Sequence, residues 1–481
     1  MIRIRSASIL VVAAVLAGCA STGGLAPQSA LRDANVLAAE RTLAGTTVSS
    51  AAWPQRDWWT SLHDPQLDAL ITQALQDSPT LNIAAARTRK ALALANAVHA
   101  NELPRIDALA STARQRFSEN GILPAPIAGS TQTTNTLQAT LSWEIDFWGR
   151  NRAAAAAALG AARAAEVDQH AAELALSTNI AQAYVQLQRA YLDQDVAQRT
   201  LAAREQLQRL TRDRTAAGLD SRVELKQSEA AISATREQIA EIEERIALTR
   251  NQIAALLGAG PDRGLALARP TASTLARIEV PSTVPAELIG RRPDVVAQRW
   301  RIEAARRDID VAKAEFYPNV NLAAFIGFTT FGGGSLLSAA SHTVGVSPAV
   351  TLPIFDGGRL RANLAGTNAD YDIAVEQYNQ VIADAMRDVV DQLASLRSLA
   401  TQRREQTSAL ASTREAYDLA VLRYREGLGN YLQVLSAEQP LLVQETLEAD
   451  LNARELQLSI GLVRALGGGY APPATIASTN Q

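Results

Sequence analysis

The sequence predicts a mixed α/β membrane protein with an internal structural repeat. Each subunit would contribute four β-strands to a shared barrel, which reaches twelve strands if three subunits join. A long α-helical barrel would continue it. Three observations carry this prediction. TLSWEIDFWGRNRAAAAAALG (140–160) and TLPIFDGGRLRANLAG (351–366) make the same change twice, 209 residues apart, from an alternating apolar stretch through Gly-Arg-x-Arg into an Ala-rich helical pattern. The alternating stretches have the length of membrane-spanning strands, about 9–11 residues. The helical stretches outspan a globular core, since 359–426 would reach roughly 100 Å at about 1.5 Å per residue.

The chain has 481 residues, a formal charge of -3, and only three lysines against 43 arginines. This near-neutral balance gives no hint of nucleic acid. The N-terminus, MIRIRSASILVVAAVLAGCASTGG, has a basic start at Arg3 and Arg5 and a short apolar run from Ile9 to Leu16. That run is too short for a membrane span. Residues 1–18 read as a lipoprotein signal peptide, with Cys19 exposed as the new N-terminus and acylated by palmitate-type chains. A plain signal peptide with a chance Cys is the alternative. Each buried methylene of an acyl chain adds about 0.8 kcal/mol of anchoring. Cys19 is the sole cysteine, so no intrachain disulfide can form. Cleavage removes two arginines and takes the formal charge from -3 to -5. Ala20 follows Cys19, which resembles lipoproteins passed on to the outer membrane. Residues 20–50 read as a loose Ser/Thr/Gly/Ala tether within a segment 19–62, and 467–481 as a flexible tail.

Between these ends lie two copies of one plan, 63–257 and 285–466, joined by a Gly/Pro-rich connection at 258–284. The first has helix over about 64–101, interrupted at Ser78-Pro79, then strands over about 103–118 and 134–147. Helices over 151–216 and 219–257 complete it. The second has helix over 285–315, strands over about 318–329 and 343–355, and helices over 359–426 and 430–466. Arg150, Arg152, Gly218 and Glu229 recur at an offset of 209 as Arg359, Arg361, Gly427 and Glu438. Two independent domains could also show such a duplication, but the helix lengths argue against them. Rods this long, with Ala and Leu recurring between Arg, Gln and Glu, suit a coiled-coil wall.

In 137–147, Leu137, Ala139, Leu141, Trp143, Ile145 and Phe147 share one face, and Gln138, Thr140, Ser142, Glu144 and Asp146 the other. In 343–354, Val344, Val346, Pro348, Val350, Leu352 and Ile354 oppose Thr343, Gly345, Ser347, Ala349 and Thr351. A soluble sheet packed on one side would show the same alternation. The first strand is weaker, with Arg114, Gln115 and Arg116 near its water-exposed end. Four strands cannot close a useful lumen, and unpaired edges in lipid are prohibitive. The barrel-to-helix transition falls at Gly149–Arg150 and Gly358–Arg359, where glycine makes the bend easy. The arginines would lie at lipid headgroups or cap a carbonyl, with Phe147, Trp148 and Phe355 as interfacial aromatics.

LAGC (16–19), DWWTSLHDPQLDALITQAL (57–75), LSWEIDFWGRNR (141–152), LIGRRPDVVAQRWRIEAARRDIDVAKAEFYPNVNL (288–322), LPIFDGGRLRANL (352–364) and RYREGLGNYLQVLSAEQPL (423–441) occur in this order. Together they span nearly the whole chain, and with them it resembles the TolC-type outer-membrane channels. It looks most like the NodT-like lipoprotein branch of multidrug efflux. The resemblance implies a homotrimer anchored in the outer membrane, with an equatorial region formed by the tether-adjacent segment, the middle connection and the C-terminal end. It also implies two partners, a periplasmic membrane-fusion adaptor and an inner-membrane transporter of the resistance-nodulation-division (RND) type, which would power export. Gly218 and Gly427 would reverse the helical hairpins at their periplasmic tips. The constriction would map near Tyr424, Arg425, Gln433 and Ser436, although Tyr424 could instead belong to a packed interface. Many relatives carry an acidic residue at the position of Ser436, where three carboxylates could bind cations. Glu438, two residues on, faces another helix side and is a poor substitute. In RRPDV, Pro293 suits a first helical turn and Asp294 the positive helix end, while Arg291 and Arg292 could pair with a carboxylate or stay solvated.

Enzyme chemistry is not visible. His63, His99, His170 and His342 lack metal spacing, no cofactor motif appears, and His63-Asp64 before Pro65 reads as a helix start. Two rival functions remain, an outer-membrane channel for type I protein secretion and a nonconducting envelope-spanning lipoprotein. The lipobox and the RRPD region favour efflux over the first, and the two strand pairs argue against the second.

Overall fold

A computed structural model describes residues 22–33, 48–49, 53–270, 280–281, 290–332 and 334–471. The lipid-attachment candidate Cys19 lies outside these residues. In chain order the elements are β1 (Val48–Ser49), α1 (Pro65–Asp77), α2 (Pro79–His99), β2 (Arg105–Arg116), β3 (Thr131–Ile145), α3 (Arg150–Ala216), α4 (Arg222–Leu256) and α5 (Asp262–Leu265). They continue with β4 (Val280–Pro281), α6 (Pro293–Ala314), β5 (Asn319–Phe331), β6 (His342–Thr351), α7 (Arg359–Arg425) and α8 (Tyr431–Ala465). The long helices repeat in length, 67 and 35 residues in each copy, and start 209 residues apart.

The chain divides into two compact units, and both copies of the repeat contribute to each. One unit holds residues 87–165 and 297–378 with the N-terminal segment up to Leu31; the other holds 32–86, 166–296 and 379–481. The repeat is therefore not a pair of separate domains.

In the first unit, β2, β3, β5 and β6 form one antiparallel sheet in that order. The central β3–β5 pairing joins the two copies, with Leu141 opposite Ala324 and Gln138 opposite Gly327. The register aligns the apolar face across all four strands. Ile106, Leu141, Ala324 and Val346 form one row, and Ala108, Ala139, Ile326 and Val344 the next. This face is not covered within the protomer, as Ile106 is 71% and Val346 67% exposed. The outer edges of β2 and β6 have no strand partner among the described residues. Beside the sheet, Ile309 and Ala312 of α6 and Phe316 just beyond its end pack on Leu360 and Leu364 of α7.

The second unit holds the larger core. Asp64 caps α1 by accepting from Gln66 N at 2.9 Å and Leu67 N at 3.1 Å, with Pro65 in the first turn. Its other oxygen accepts from the Tyr184 hydroxyl of α3 at 2.9 Å. Leu67, Leu70 and Ile71 then bury against Ile180, Leu187, Ile253 and Leu257, together with Trp58 and Trp59. The RRPD motif builds an ion-pair knot. α6 opens at Pro293, and the largely buried Arg292 donates to Asp294 at 2.7 Å and Asp388 at 3.1 Å. Arg291 lies over the Trp53 ring at 4.8 Å.

Two segments that the sequence reads as loose are held in place. Part of the expected tether is tied to α7. Within the first unit Ser29 N donates to Asp372 Oδ1 at 2.8 Å, and within the second Arg32 N donates to Asn379 Oδ1 at 2.9 Å. The start of the expected flexible tail, Gly467–Gly469, is close-packed backbone. An added Cβ on Gly467 would stand 2.0 Å from Arg291 O, and one on Gly469 2.2 Å from Gln55 C. The Gly run looks flexible in sequence because it lacks side chains, and that same lack permits backbone-to-backbone contact.

Candidate functional site

The two helical hairpins end in the same turn. Gly218 and Gly427 have φ of 75° and 77°. Leu219 N donates to Arg214 O, and Leu428 N to Arg423 O, both at 2.8 Å. This is the left-handed glycine closure that satisfies the last carbonyls of a helix. The returning helices are capped in both copies. Ser221 and Glu224 form a reciprocal capping box, and Asn430 Oδ1 accepts from Gln433 N at 3.0 Å.

Where the copies differ, they lock together. Tyr424 of α7 is fully buried against Leu207, Tyr431 and Val434. Its hydroxyl donates to Asp220 Oδ2 at 2.5 Å and lies 3.0 Å from Thr211 Oγ1. Arg214 donates to both Asp220 oxygens, at 3.0 and 3.3 Å, and to Tyr424 O at 3.2 Å, with its guanidinium 4.7 Å from the Tyr424 ring centre. Burial, followed by donation to the charged Asp220, pushes the Tyr424 hydroxyl up to about 12, so it stays a neutral donor. Burial opposes ionisation of Asp220, but the bonds from Arg214 and Tyr424 and the charge of Arg214 outweigh it and hold the carboxyl below its ordinary value. The result is a clasp, a carboxylate of the first hairpin holding a phenol of the second.

Further along α3, Arg204 makes a second tie. It donates to Glu438 of α8 through Nε at 3.0 and 3.2 Å and through Nη2 at 2.8 Å. Its Nη1 donates to Thr235 Oγ1 at 2.7 Å and Ala231 O at 2.9 Å on α4. Both charges are almost fully buried. Arg204, Leu207, Thr211 and Arg214 recur at helical spacing, so one stripe of α3 carries both ties and the apolar contacts between them.

Of the four sequence-predicted constriction residues, only Tyr424 enters the clasp. Arg425, Gln433 and Ser436 are exposed, on the side of their helices away from the seam. The expectation that Glu438 faces elsewhere matches its buried pairing with Arg204. Sequence reasoning missed Thr211, Arg214, Asp220 and Arg204. Departures from the internal repeat could have found three of them: at the 209 offset Thr211 becomes Ala420, Asp220 becomes Gly429 and Arg204 becomes Thr413.

In the other unit the strand-to-helix steps also use carboxylates. Gly149 and Gly358 have φ of 78° and 92°. Arg150 pairs with Glu144 at 2.8 Å, and Asp146 accepts from Arg152 N at 2.9 Å. In the second copy Asp356 takes the capping role, accepting from Gly358 N at 3.0 Å and Leu360 N at 2.8 Å. Arg359 at the same step is exposed. Trp148 stacks on Tyr317 at 4.7 Å and donates to Pro318 O at 2.8 Å, while Phe147 and Phe355 are exposed as interfacial aromatics would be.

Long alternating strands with an uncovered apolar face, two long helical hairpins and a polar clasp between the hairpins are the features to be set against known proteins. The family model described as outer membrane efflux protein matches residues 70–259 and 284–468, and the chain belongs to that family. Among its relatives, the multidrug resistance outer membrane protein MdtP of Escherichia coli is 35% identical over 479 residues, covering 97% of both chains. The fusaric acid resistance protein FusA of Burkholderia cepacia is 41% identical over 370 residues, covering 75% of this chain and 69% of its own. The outer membrane protein VceC of Vibrio cholerae superimposes with a TM-score of 0.82 at 35% identity, over 87% of this chain and all of VceC. The outer-membrane channel OprN superimposes with a TM-score of 0.82 at 27% identity, over 94% of this chain and 98% of OprN.

Proposed function

We propose that this protein is the outer-membrane exit duct of a tripartite efflux pump, passively conducting drugs or other small molecules outward. Three copies close one twelve-stranded barrel, the helical hairpins form a tube in the periplasm, and Cys19 carries the lipid anchor. A periplasmic adaptor and an inner-membrane RND-type transporter complete the assembly, and the transporter supplies the energy. The observation that carries this reading is the open four-stranded sheet. Its apolar face runs in register from β2 to β6 while both edges lack partners, and in lipid such edges require closure by further copies.

The hairpin tips serve as the gate. The Tyr424–Asp220–Arg214 clasp and the Arg204–Glu438 pair hold the second hairpin against the first, so the resting duct is shut. Opening requires the hydroxyl and the carboxylate to part, which exposes a charge that Arg214 keeps bound to the first hairpin. The exposed Arg425, Gln433 and Ser436 border the opening. Serine at 436 leaves the constriction without a carboxylate ring, so closure rests on the clasp.

The test is native mass determination and single-channel conductance of the detergent-extracted protein in planar bilayers. A trimer with small, rare openings that enlarge in Tyr424→Phe supports both duct and gate. A stable monomer without pore activity overturns the shared barrel and promotes the nonconducting lipoprotein.

A further inference from the structure

The apolar face of the sheet changes character toward its loop end. On β2 this face runs Ile106, Ala108, Ala110, Thr112, Arg114, Arg116, opposite Leu141, Ala139, Leu137, Asn135, Thr133 and Thr131 of β3. The apolar band stops at a polar row, where Thr112 donates to Asn135 Oδ1 at 2.8 Å and Asn135 Nδ2 to Thr330 Oγ1 at 3.4 Å. Arg114 is the next residue of β2 on this face. It is exposed and makes no hydrogen bond or ion pair among the described residues. Charge is scarce around it. Between Ala108 and Trp143, and between Phe316 and Phe355, the only Arg, Lys, Asp or Glu residues are Arg114, Arg116 and Glu119. Glu119 is already engaged. It accepts from Arg116 Nη2 at 3.2 Å, and its stem lies against Gly129, where an added Cβ would stand 2.7 Å from Glu119 Cγ. At the helix end of the sheet, by contrast, Arg105, Arg150 and Arg152 lie beside Asp107, Glu144 and Asp146.

We propose that Arg114 and the strand surface below it bind a phosphorylated lipid of the outer leaflet, with the guanidinium on a phosphate and an acyl chain along Ala110, Ala108 and Ala139. The inference rests on the duct reading, in which the apolar face of the sheet meets lipid and the free edge of β2 is closed by β6 of another copy. Residues 332–355, which include β6 and the loop before it, contain no Asp or Glu. No register of that closure therefore brings Arg114 a carboxylate from the closing strand, and its counter-charge comes from outside the protein. A guanidinium fork matches the oxygens of a phosphate in two parallel hydrogen bonds. Basic residues at a membrane surface attract anionic lipid. The apolar band beneath Arg114 favours a phosphate that carries acyl chains over one free in water, because only the lipid gains from covering those alanines.

The experiment is retention of radiolabelled, bis-phosphorylated lipid A by the immobilised, detergent-extracted protein, with assembly checked by native mass. Arg114→Gln and Arg114→Ala are compared with the parent and with Arg212→Gln, which removes an equal charge from an exposed arginine of α3. Because the Arg114 side chain has no partner among the described residues, both of its variants should assemble as the parent does. The expected result is that each Arg114 variant holds lipid A roughly fivefold more weakly, while Arg212→Gln holds it as the parent does. Inorganic phosphate at the same phosphate concentration should not displace the lipid. Unchanged retention in both Arg114 variants overturns the site. An equal loss in Arg212→Gln also overturns it, because it would show diffuse attraction to the whole chain. Displacement by inorganic phosphate overturns the lipid as occupant and leaves a simple anion site. A parent that is a stable monomer without pore activity would instead overturn the duct reading.

Discussion

At the scale of single residues, the clasp gives the sharpest expectations. Tyr424→Phe keeps the buried ring and removes only the hydroxyl that bridges Asp220 and Thr211. A hydrogen bond to a charged group contributes about 1.5–3 kcal/mol, so open probability in bilayer recordings should rise roughly tenfold or more while the trimer persists. Acid should act on the same contact. Asp220 has a folded pKa below its ordinary value of 3.8, so its contribution is fully present above that value and is lost as pH falls through the lower, folded pKa. Conductance should therefore be flat near neutrality and rise below about pH 4, and Asp220→Asn should abolish that rise. The Arg204–Glu438 pair is a stricter case because both charges are buried. Glu438→Ala strands a buried guanidinium and should cost about 3–5 kcal/mol, read as a fall in the thermal midpoint. Replacing both residues by apolar ones should recover much of that loss.

At the scale of elements, the helix ends and the strand steps were legible in the sequence because their signals are local. Asp64-Pro65 and the glycines at 149, 218, 358 and 427 each announce a turn or a cap by residue type, and the structure uses each one. The start of the expected tail was misread for an equally local reason: GGGY resembles a linker in composition, and only its neighbours reveal the packing, while 472–481 lie outside the described residues. Gly467 has φ of 90° with a carbonyl oxygen where a Cβ would go. Gly467→Ala combines a strained backbone with a clash and should destabilise by about 3 kcal/mol. The matching measurement is a lowered melting temperature together with loss of protease resistance around Arg291. Gly218→Ala, with open space around its Cβ position, should cost only the backbone strain, about 1–2 kcal/mol.

At the scale of the whole molecule, the two faces of the sheet should respond differently to the same charge. Arginine on the lipid face of a barrel costs about 2–4 kcal/mol near the bilayer midplane. Val346→Arg should therefore depress the yield of trimer in outer-membrane fractions. Thr136→Arg, on the opposite face, should assemble normally and change ion selectivity instead. Equal loss from both would indicate a sheet buried on two sides, as in a soluble protein. Membership of the outer membrane efflux family and the likeness to VceC and OprN along most of the chain agree with the unequal outcome.

The sequence by itself determined the alternation of the strands, the length of the helices, the duplication at 209 residues and the absence of enzyme motifs. These are periodicities and local residue choices, and neighbouring residues along the chain suffice to specify them. Only the tertiary structure decided that β3 pairs with β5, that Tyr424 reaches Asp220, and that Glu438 turns inward to Arg204. Each of these joins residues far apart in sequence, and two copies of one motif have no local feature to say which copy pairs with which. The positions where the copies differ favour the observed choice, because a buried carboxylate or phenol left unpaired costs free energy.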